Sequence, residues 1–248
     1  MKTIDLNCDL GEGYGSDAEL MNFVSSVNVA CGYHAGDEET MRTTVELAAE
    51  KSIAVGAHPS YPDRANFGRS QMEIPARELY DIVSEQIRKL ASICVEFGVK
   101  ISHVKPHGAL YNRSASDADV AATIASVVRD IDPELILYGL SGSVSIIEAK
   151  EAGLRTASEV FADRGYRSDG SLVPRSEPGA LLTTAADAAD QALAMAMDGL
   201  VISVTGEQVA VESDTICIHG DGQFAVEFAS AIRTTLLKHN IRIHPLNA

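Results

Sequence analysis

The sequence predicts an α/β fold with a parallel sheet, and three observations point to it. Short apolar runs alternate with longer stretches of helical periodicity. Polar and titratable residues cluster just after the C-terminal ends of the apolar runs. The 248 residues are 46% hydrophobic and 22% charged, a globular composition. A chain of this length buries about 70–75% of its unfolded surface, so its fold depends on neither disulfides nor a metal.

Residues 3–7 read as the first strand, followed by a glycine-rich turn and a short helix near 17–23. Residues 26–30 form the second, with a helix over 37–51. The third, 53–57, leads through a long loop to a helix over 75–97, which Pro75 opens and Gly98 closes. In that helix Leu79, Ile82, Val83, Ile87, Leu90, Ala91 and Cys94 keep the spacing of one buried face. Strands at 101–105 and 135–138 precede helices near 117–129 and 143–151. A sixth strand lies within 154–161, before a long polar loop over 162–178 and an Ala-rich helix over 184–198. Residues 201–204 and 208–211 read as a hairpin turning at Gly206 and Glu207. The last main strand is 215–219, and a helix near 222–238 follows. Seven main strands, most followed by a helix, imply a parallel sheet with helices outside it. A doubly wound open sheet and a closed barrel both satisfy this order. No Pro/Ser/Gly-rich linker divides the chain, so residues 1–248 read as one domain.

The balance of 20 Lys and Arg against 35 Asp and Glu gives a net charge of −15. That, with a pI near 4.8, argues against nucleic-acid partners and anionic membrane surfaces. A small anionic substrate stays possible, because a few arginines override net charge inside a cleft. Acids at Asp5, Asp9 and Glu12 interrupt any signal-peptide core. No uncharged stretch reaches the roughly 18–20 apolar residues of a membrane span. The four cysteines form no C-x-x-C pair and suit a reducing, cytoplasmic setting.

Position carries the functional signal. Asp9 and Glu12 follow the first strand, His34 and Asp37 the second, and His58 and Asp63 the third. Lys105 and His107 end the fourth; Glu159, Asp163 and Arg164 follow the sixth; His219 and Asp221 end the seventh. In a parallel sheet or barrel these ends share one face, where sites are built. One histidine after a strand is usually a cap or a satisfied polar group. Four at matching topological positions, each beside a glycine or proline, point instead to a site. His103 lies inside the fourth strand and suits site or core equally, whereas His239 and His244 read as surface.

Arg64 and Arg69 stand where they would grip a carboxylate or phosphate, and Arg164, Tyr166, Arg167 and Arg175 suit a lid over an anion. Residues 139–145 give a weak phosphate-loop signal without a lysine, and there is no P-loop, dinucleotide fingerprint, nucleophile elbow or H-E-x-x-H. A His/Asp/Glu cluster therefore points to general acid–base work or to a divalent metal that activates water, with Asp9, His34 and His58 as candidate ligands.

Six motifs carry a family resemblance: Asp5-Leu-Asn-Cys-Asp-Leu-Gly-Glu12, Asn28-Val-Ala-Cys-Gly-Tyr-His-Ala-Gly-Asp37, Gly56-Ala-His-Pro-Ser-Tyr-Pro-Asp63, His103-Val-Lys-Pro-His-Gly-Ala-Leu-Tyr-Asn112, Glu159-Val-Phe-Ala-Asp-Arg-Gly-Tyr166 and Ile218-His-Gly-Asp221. Together, and in this order, they resemble the LamB/YcsF family over nearly the whole chain. Phe67-Gly-Arg-Ser70 departs from it, since the family usually shows a second arginine where Ser70 stands.

The resemblance implies a seven-stranded (β/α) barrel, similar to the glycoside hydrolase and sugar deacetylase superfamily. It implies ATP-dependent hydrolytic opening of 5-oxo-L-proline to L-glutamate, beside partner subunits B and C of a 5-oxoprolinase. On the matching residues, Asp9 and His58 are expected to orient water or act as base, with Glu12 in the same catalytic set. His34 and His107 are expected as acid–base or metal-binding groups, and Lys105 and Arg64 would offset developing charge. Asp163, Arg164 and Asp221 join Arg64 as expected substrate contacts. Two rival classes stand beside this: a metal-dependent carbohydrate deacetylase or hydrolase, and a non-catalytic lactam-binding protein.

Overall fold

Alternation in the first strand separates two environments. Ile4, Leu6, Cys8 and Leu10 are buried in the apolar core, while Asp5, Asn7 and Asp9 join a buried polar network. The computed structural model describes residues 2–222 and 224–246. Its elements run β1 (Thr3–Leu10), α1 (Asp17–Leu20), β2 (Ser26–Ala30), α2 (Glu38–Glu50), β3 (Ala54–His58) and α3 (Ala76–Glu96). Then come β4 (Ile101–Val104), α4 (Gly108–Ser114), α5 (Ala118–Ile131), β5 (Ile136–Leu140), α6 (Val144–Glu151) and β6 (Arg155–Phe161). The chain continues with α7 (Ala185–Asp198), β7 (Leu200–Ile202), β8 (Gln208–Ala210), β9 (Thr215–His219), α8 (Ala225–Lys238) and β10 (Arg242–Ile243).

Closure is decided by β1, which pairs in parallel with both β2 and β9. The ring β1-β2-β3-β4-β5-β6-β9 is a closed seven-stranded parallel barrel, with β10 added at the start of β1. The open doubly wound alternative is thereby excluded. The β7–β8 hairpin is a separate antiparallel ribbon, as the turn at Gly206 predicts. Register places Asp9 opposite Asn28 on β2 and His219 on β9, and Ala30 opposite His58 on β3.

Several elements depart from the sequence expectation, among them β3, which includes His58, and β10, which the sequence pattern does not show. β1 runs to Leu10, so Asp9 lies within the strand, because Cys8 and Leu10 keep burying the outer face. Glu159 likewise sits inside β6. α4 has no counterpart in the sequence pattern; it is one short piece whose Leu110 and Tyr111 are buried, too brief to show a period.

The barrel interior is polar and connected. Asp5 accepts from Ser25, Ser26, Tyr138 and Thr215, and the Asn7 amide donates to Glu159 Oε1 at 3.0 Å and Thr215 Oγ1 at 2.7 Å. The apolar core lies between strands and helices, where α3, with the periodic face expected of it, packs on α5. No helix among the described residues is long and apolar enough to cross a membrane.

Candidate active site

A cavity of about 690 Å³ opens at the C-terminal ends of the barrel strands. Asp9, Glu12, His58, Lys105 and His107 line it, and His34 stacks flat against His107 with ring centroids 3.8 Å apart. The six residues expected to be catalytic therefore converge. Gly68 permits this: a Cβ there would meet His34 Cβ at 2.9 Å and His107 Cδ2 at 3.1 Å.

One side of the floor is an ion cluster. Lys105 Nζ donates to Asp9 Oδ1 at 2.8 Å, pairs with Glu159 Oε1 at 2.9 Å and lies 3.1 Å from Cys217 Sγ. Burial alone would neutralise the ammonium, but Asp9, Cys217 and Glu159 outweigh it and raise its pKa well above the lysine norm. Burial also works against the Asp9 carboxylate, yet His58 and Lys105 hold its pKa well below the ordinary range. Asn28 fixes Asp9 Oδ1 at 2.8 Å and is itself oriented by His103, whose Nε2 donates to Asn28 Oδ1 at 2.8 Å. His103 thus supports the site from inside the barrel without lining the cavity.

The other side is a histidine cluster. His58 Nδ1 lies 2.7 Å from the Lys105 carbonyl, and His107 Nε2 lies 3.0 Å from the Phe67 carbonyl. A carbonyl only accepts, so both nitrogens carry hydrogen. In neutral rings His58 Nε2 and His107 Nδ1 then present lone pairs to each other across 2.9 Å. That contact calls for a cation, either a proton or a metal ion. Burial first, then neighbouring positive charge, presses the pKa of His34 down to about 2 and that of His107 well below normal. Glu12 is pushed the other way, well up, by burial and by the charges of Asp9 and Asp221.

The donor set fits a divalent ion. Glu12, His34, His58 and His107 each offer a ligand atom within 4.8 Å of the others. Glu12 Oε1 and both ring nitrogens of His34 are buried without a hydrogen-bond partner among the described residues. Three imidazoles and a carboxylate suit an ion such as zinc. Of the expected set Asp9, His34 and His58, the two histidines fall in this group with Glu12 and His107, while Asp9 falls in a second possible group with Cys217 and His219. The Asp9 Oδ1 atom is committed to Lys105 and Asn28, and its Oδ2 stands 3.4 Å from His58 Nε2.

The expected anion contacts separate sharply. The structure does not bring Arg64 to the cavity wall; its guanidinium donates to the Gly32 and Gly36 carbonyls at 3.0 and 2.7 Å and so builds the loop that carries His34. Arg164 reaches the cavity but spends Nε on the Ala180 carbonyl and Nη2 on the Val173 carbonyl, fastening the lid from below. Asp163 binds His219 Nδ1 at 2.9 Å, which leaves the other ring nitrogen of His219 without that partner. Asp221 lines the cavity and pairs with Arg69 and Arg175. Asp37 and Asp63 are structural, the first capping α2 and the second accepting from Ser70 N and Asn66 Nδ2. In the segment with the weak phosphate-loop signal, Leu140, Ser141, Gly142 and Ser143 line the cavity, while Ser143 N and Val144 N are spent on the Leu140 and Ala115 carbonyls.

Among the residues that join the site beyond the expected catalytic and substrate contacts are His219, Glu159, Arg69 and Arg175. The sequence marks each of them, by a place near a strand end or in an arginine-bearing loop. Cys217 carries no such mark; read as a small buried hydrophobe, it gives no sign in sequence of lying beside Lys105.

Comparison with known proteins agrees with this architecture. The 5-oxoprolinase A subunit of Tolumonas auensis is 51% identical over 248 residues, covering 98% of this chain and 99% of its own. The corresponding 5-oxoprolinase A subunit of Geobacillus kaustophilus is 50% identical, covering 98% and 96%. The crystal structure of a lactam utilization protein from Thermus thermophilus superposes with a TM-score of 0.92 at 41% identity, covering 99% of this chain and all 100% of that one. A family 4 carbohydrate esterase from Streptomyces lividans shares the fold alone, at TM-score 0.51 and 12% identity over 99% and 93% of the two chains. The LamB/YcsF family model matches residues 4–248, on the same segments that place Asp9, His58 and His107 around one cavity with His34 stacked on His107, and the chain belongs to that family.

Proposed function

We propose that this chain is the A subunit of a 5-oxoprolinase, where it directs water onto the lactam of 5-oxo-L-proline to give L-glutamate. The observation that carries the reading is the juxtaposition of the Asp9–Lys105 pair with His58 and His107 on the floor of one cavity. The names and coverage of the relatives support it.

A five-membered lactam is a resonance-stabilised amide and resists water. In this reading partner subunits B and C use ATP to phosphorylate the carbonyl oxygen, which makes the ring carbon electrophilic and releases ADP. Water then forms a bond to that carbon, and His58 with Asp9 takes its proton. The ring C–N bond breaks toward nitrogen, which receives a proton from His219, held in place by Asp163. A second water releases phosphate from the resulting acyl phosphate. Lys105 offsets charge developing on oxygen. With a divalent ion held by Glu12, His34, His58 and His107, Nε2 of His58 would be a ligand and Asp9 alone would take the proton, while the ion would supply Lewis acidity and lower the pKa of water. The buried free cysteines support a reducing, cytoplasmic setting.

The test is glutamate release from 5-oxo-L-proline plus ATP by the chain alone and with candidate B and C subunits. Release with the partners, lost by a factor of about 100 or more in His58→Ala, is expected. Unchanged glutamate formation by His58→Ala in the assembled enzyme refutes its role. Absence of release from folded wild-type proteins refutes the function, and ATP-independent, metal-dependent deacetylation would then favour the deacetylase class.

A further inference from the structure

Two arginines at the cavity mouth share one acid. Arg69 Nη2 bonds Asp221 Oδ2 at 2.6 Å, and Arg175 Nη1 approaches the same oxygen at 3.6 Å. Among the described residues Arg175 makes no other ion pair. Each guanidinium carries more donors than one carboxylate oxygen accepts, so donors are left over, together with an excess of one positive charge. This excess sits at the mouth of a cavity in a chain of net charge −15.

Both arginines are placed rather than free. Arg69 lies over the Phe67 ring, its guanidinium carbon 4.8 Å from the centroid, and Phe67 contacts His34 and His107 at 5.5 and 5.3 Å between centroids. One aromatic ring therefore separates this guanidinium from the histidine cluster. Arg175 rides on a lid that Arg164 fastens at Val173 and Ala180, on either side of it.

We propose that Arg69 and Arg175 form the receptor for the carboxylate of the lactam substrate, and that Asp221 fills that receptor until substrate arrives. The inference rests on the lactam reading of the site and adds its specificity: a cyclic amide bearing a carboxylate, oriented with its carbonyl end toward His58 and His107. Asp221 is an internal competitor, so weakening it and weakening the arginines shift affinity in opposite directions.

The experiment uses the enzyme assembled with its partner subunits and compares 5-oxo-L-proline with 2-pyrrolidinone, the same ring without the carboxylate. Arg69→Ala and Arg175→Ala are expected to raise KM for 5-oxo-L-proline by about tenfold to a hundredfold with a smaller change in kcat, and to erase the preference over 2-pyrrolidinone. Asp221→Asn is expected to lower KM, a change opposite in sign that a merely structural role would not produce. Unchanged KM for the lactam in both arginine variants overturns the proposal, as does a rise in KM for ATP alone, which would make the pair a phosphate site. Wild-type enzyme that fails to open 5-oxo-L-proline overturns the lactam reading itself, an outcome distinct from both.

Discussion

The neutral imidazoles of His34 and His103 tie the stability of the fold to pH. Burial first, then nearby positive charge, takes the pKa of His34 to about 2 and that of His103 to about 3. Unfolded, each titrates near 6.5. Between those values the unfolded chain binds more protons than the folded one, so stability rises with pH. It is fully present above about pH 6.5 and is lost as pH falls through that window. Denaturant unfolding between pH 7.5 and 4.5 is expected to show this loss, and His103→Gln should reduce the slope by up to about 1.4 kcal/mol per pH unit. An identical slope in the variant would show that His103 is not the group responsible. His103 also marks a limit of sequence reading. Its place in the fourth strand was legible, but its bond to Asn28, 75 residues away, belongs to the closed barrel.

Among the elements, the loop between β6 and α7 depends most on a single side chain. Arg164 supplies donors to two carbonyls, while Gly165 packs so closely that a Cβ would meet the Gly179 carbonyl oxygen at 2.0 Å. Arg164→Ala leaves both carbonyls without their donor and frees Arg175 from its position. Hydrogen exchange is expected to rise across 171–181 while the barrel strands stay protected, and KM for the lactam to rise with it. Uniform loss of protection would instead make Arg164 a determinant of global stability. Length and arginine content mark this segment as a lid in the sequence. Which arginine faces the cavity was not readable, because Arg64, Arg69, Arg164 and Arg175 are chemically identical until the fold places carbonyls beside two of them and an open cleft beside the others.

For the whole molecule, the metal reading and the closed ring make one prediction. The candidate ligands come from the segments after β1, β2 and β4 and from the end of β3, so an ion held by them ties four parts of the barrel together. Zinc at about a hundred times its Kd is expected to raise the Tm by about 5–10 °C, and His34→Ala to abolish the shift. A wild-type Tm that zinc leaves unchanged would exclude the ion at this site. The sequence by itself determined the order of the seven barrel strands and of the longer helices, the parallel sheet and the end at which the polar residues gather, because periodicity and chain order are local properties. Only the tertiary structure decided that β1 meets β9, that Asn7 bonds Thr215 across 208 positions, and that His58 Nε2 and His107 Nδ1 meet at 2.9 Å. Those contacts join groups far apart in the chain, and their chemistry exists only once the ring has closed around them.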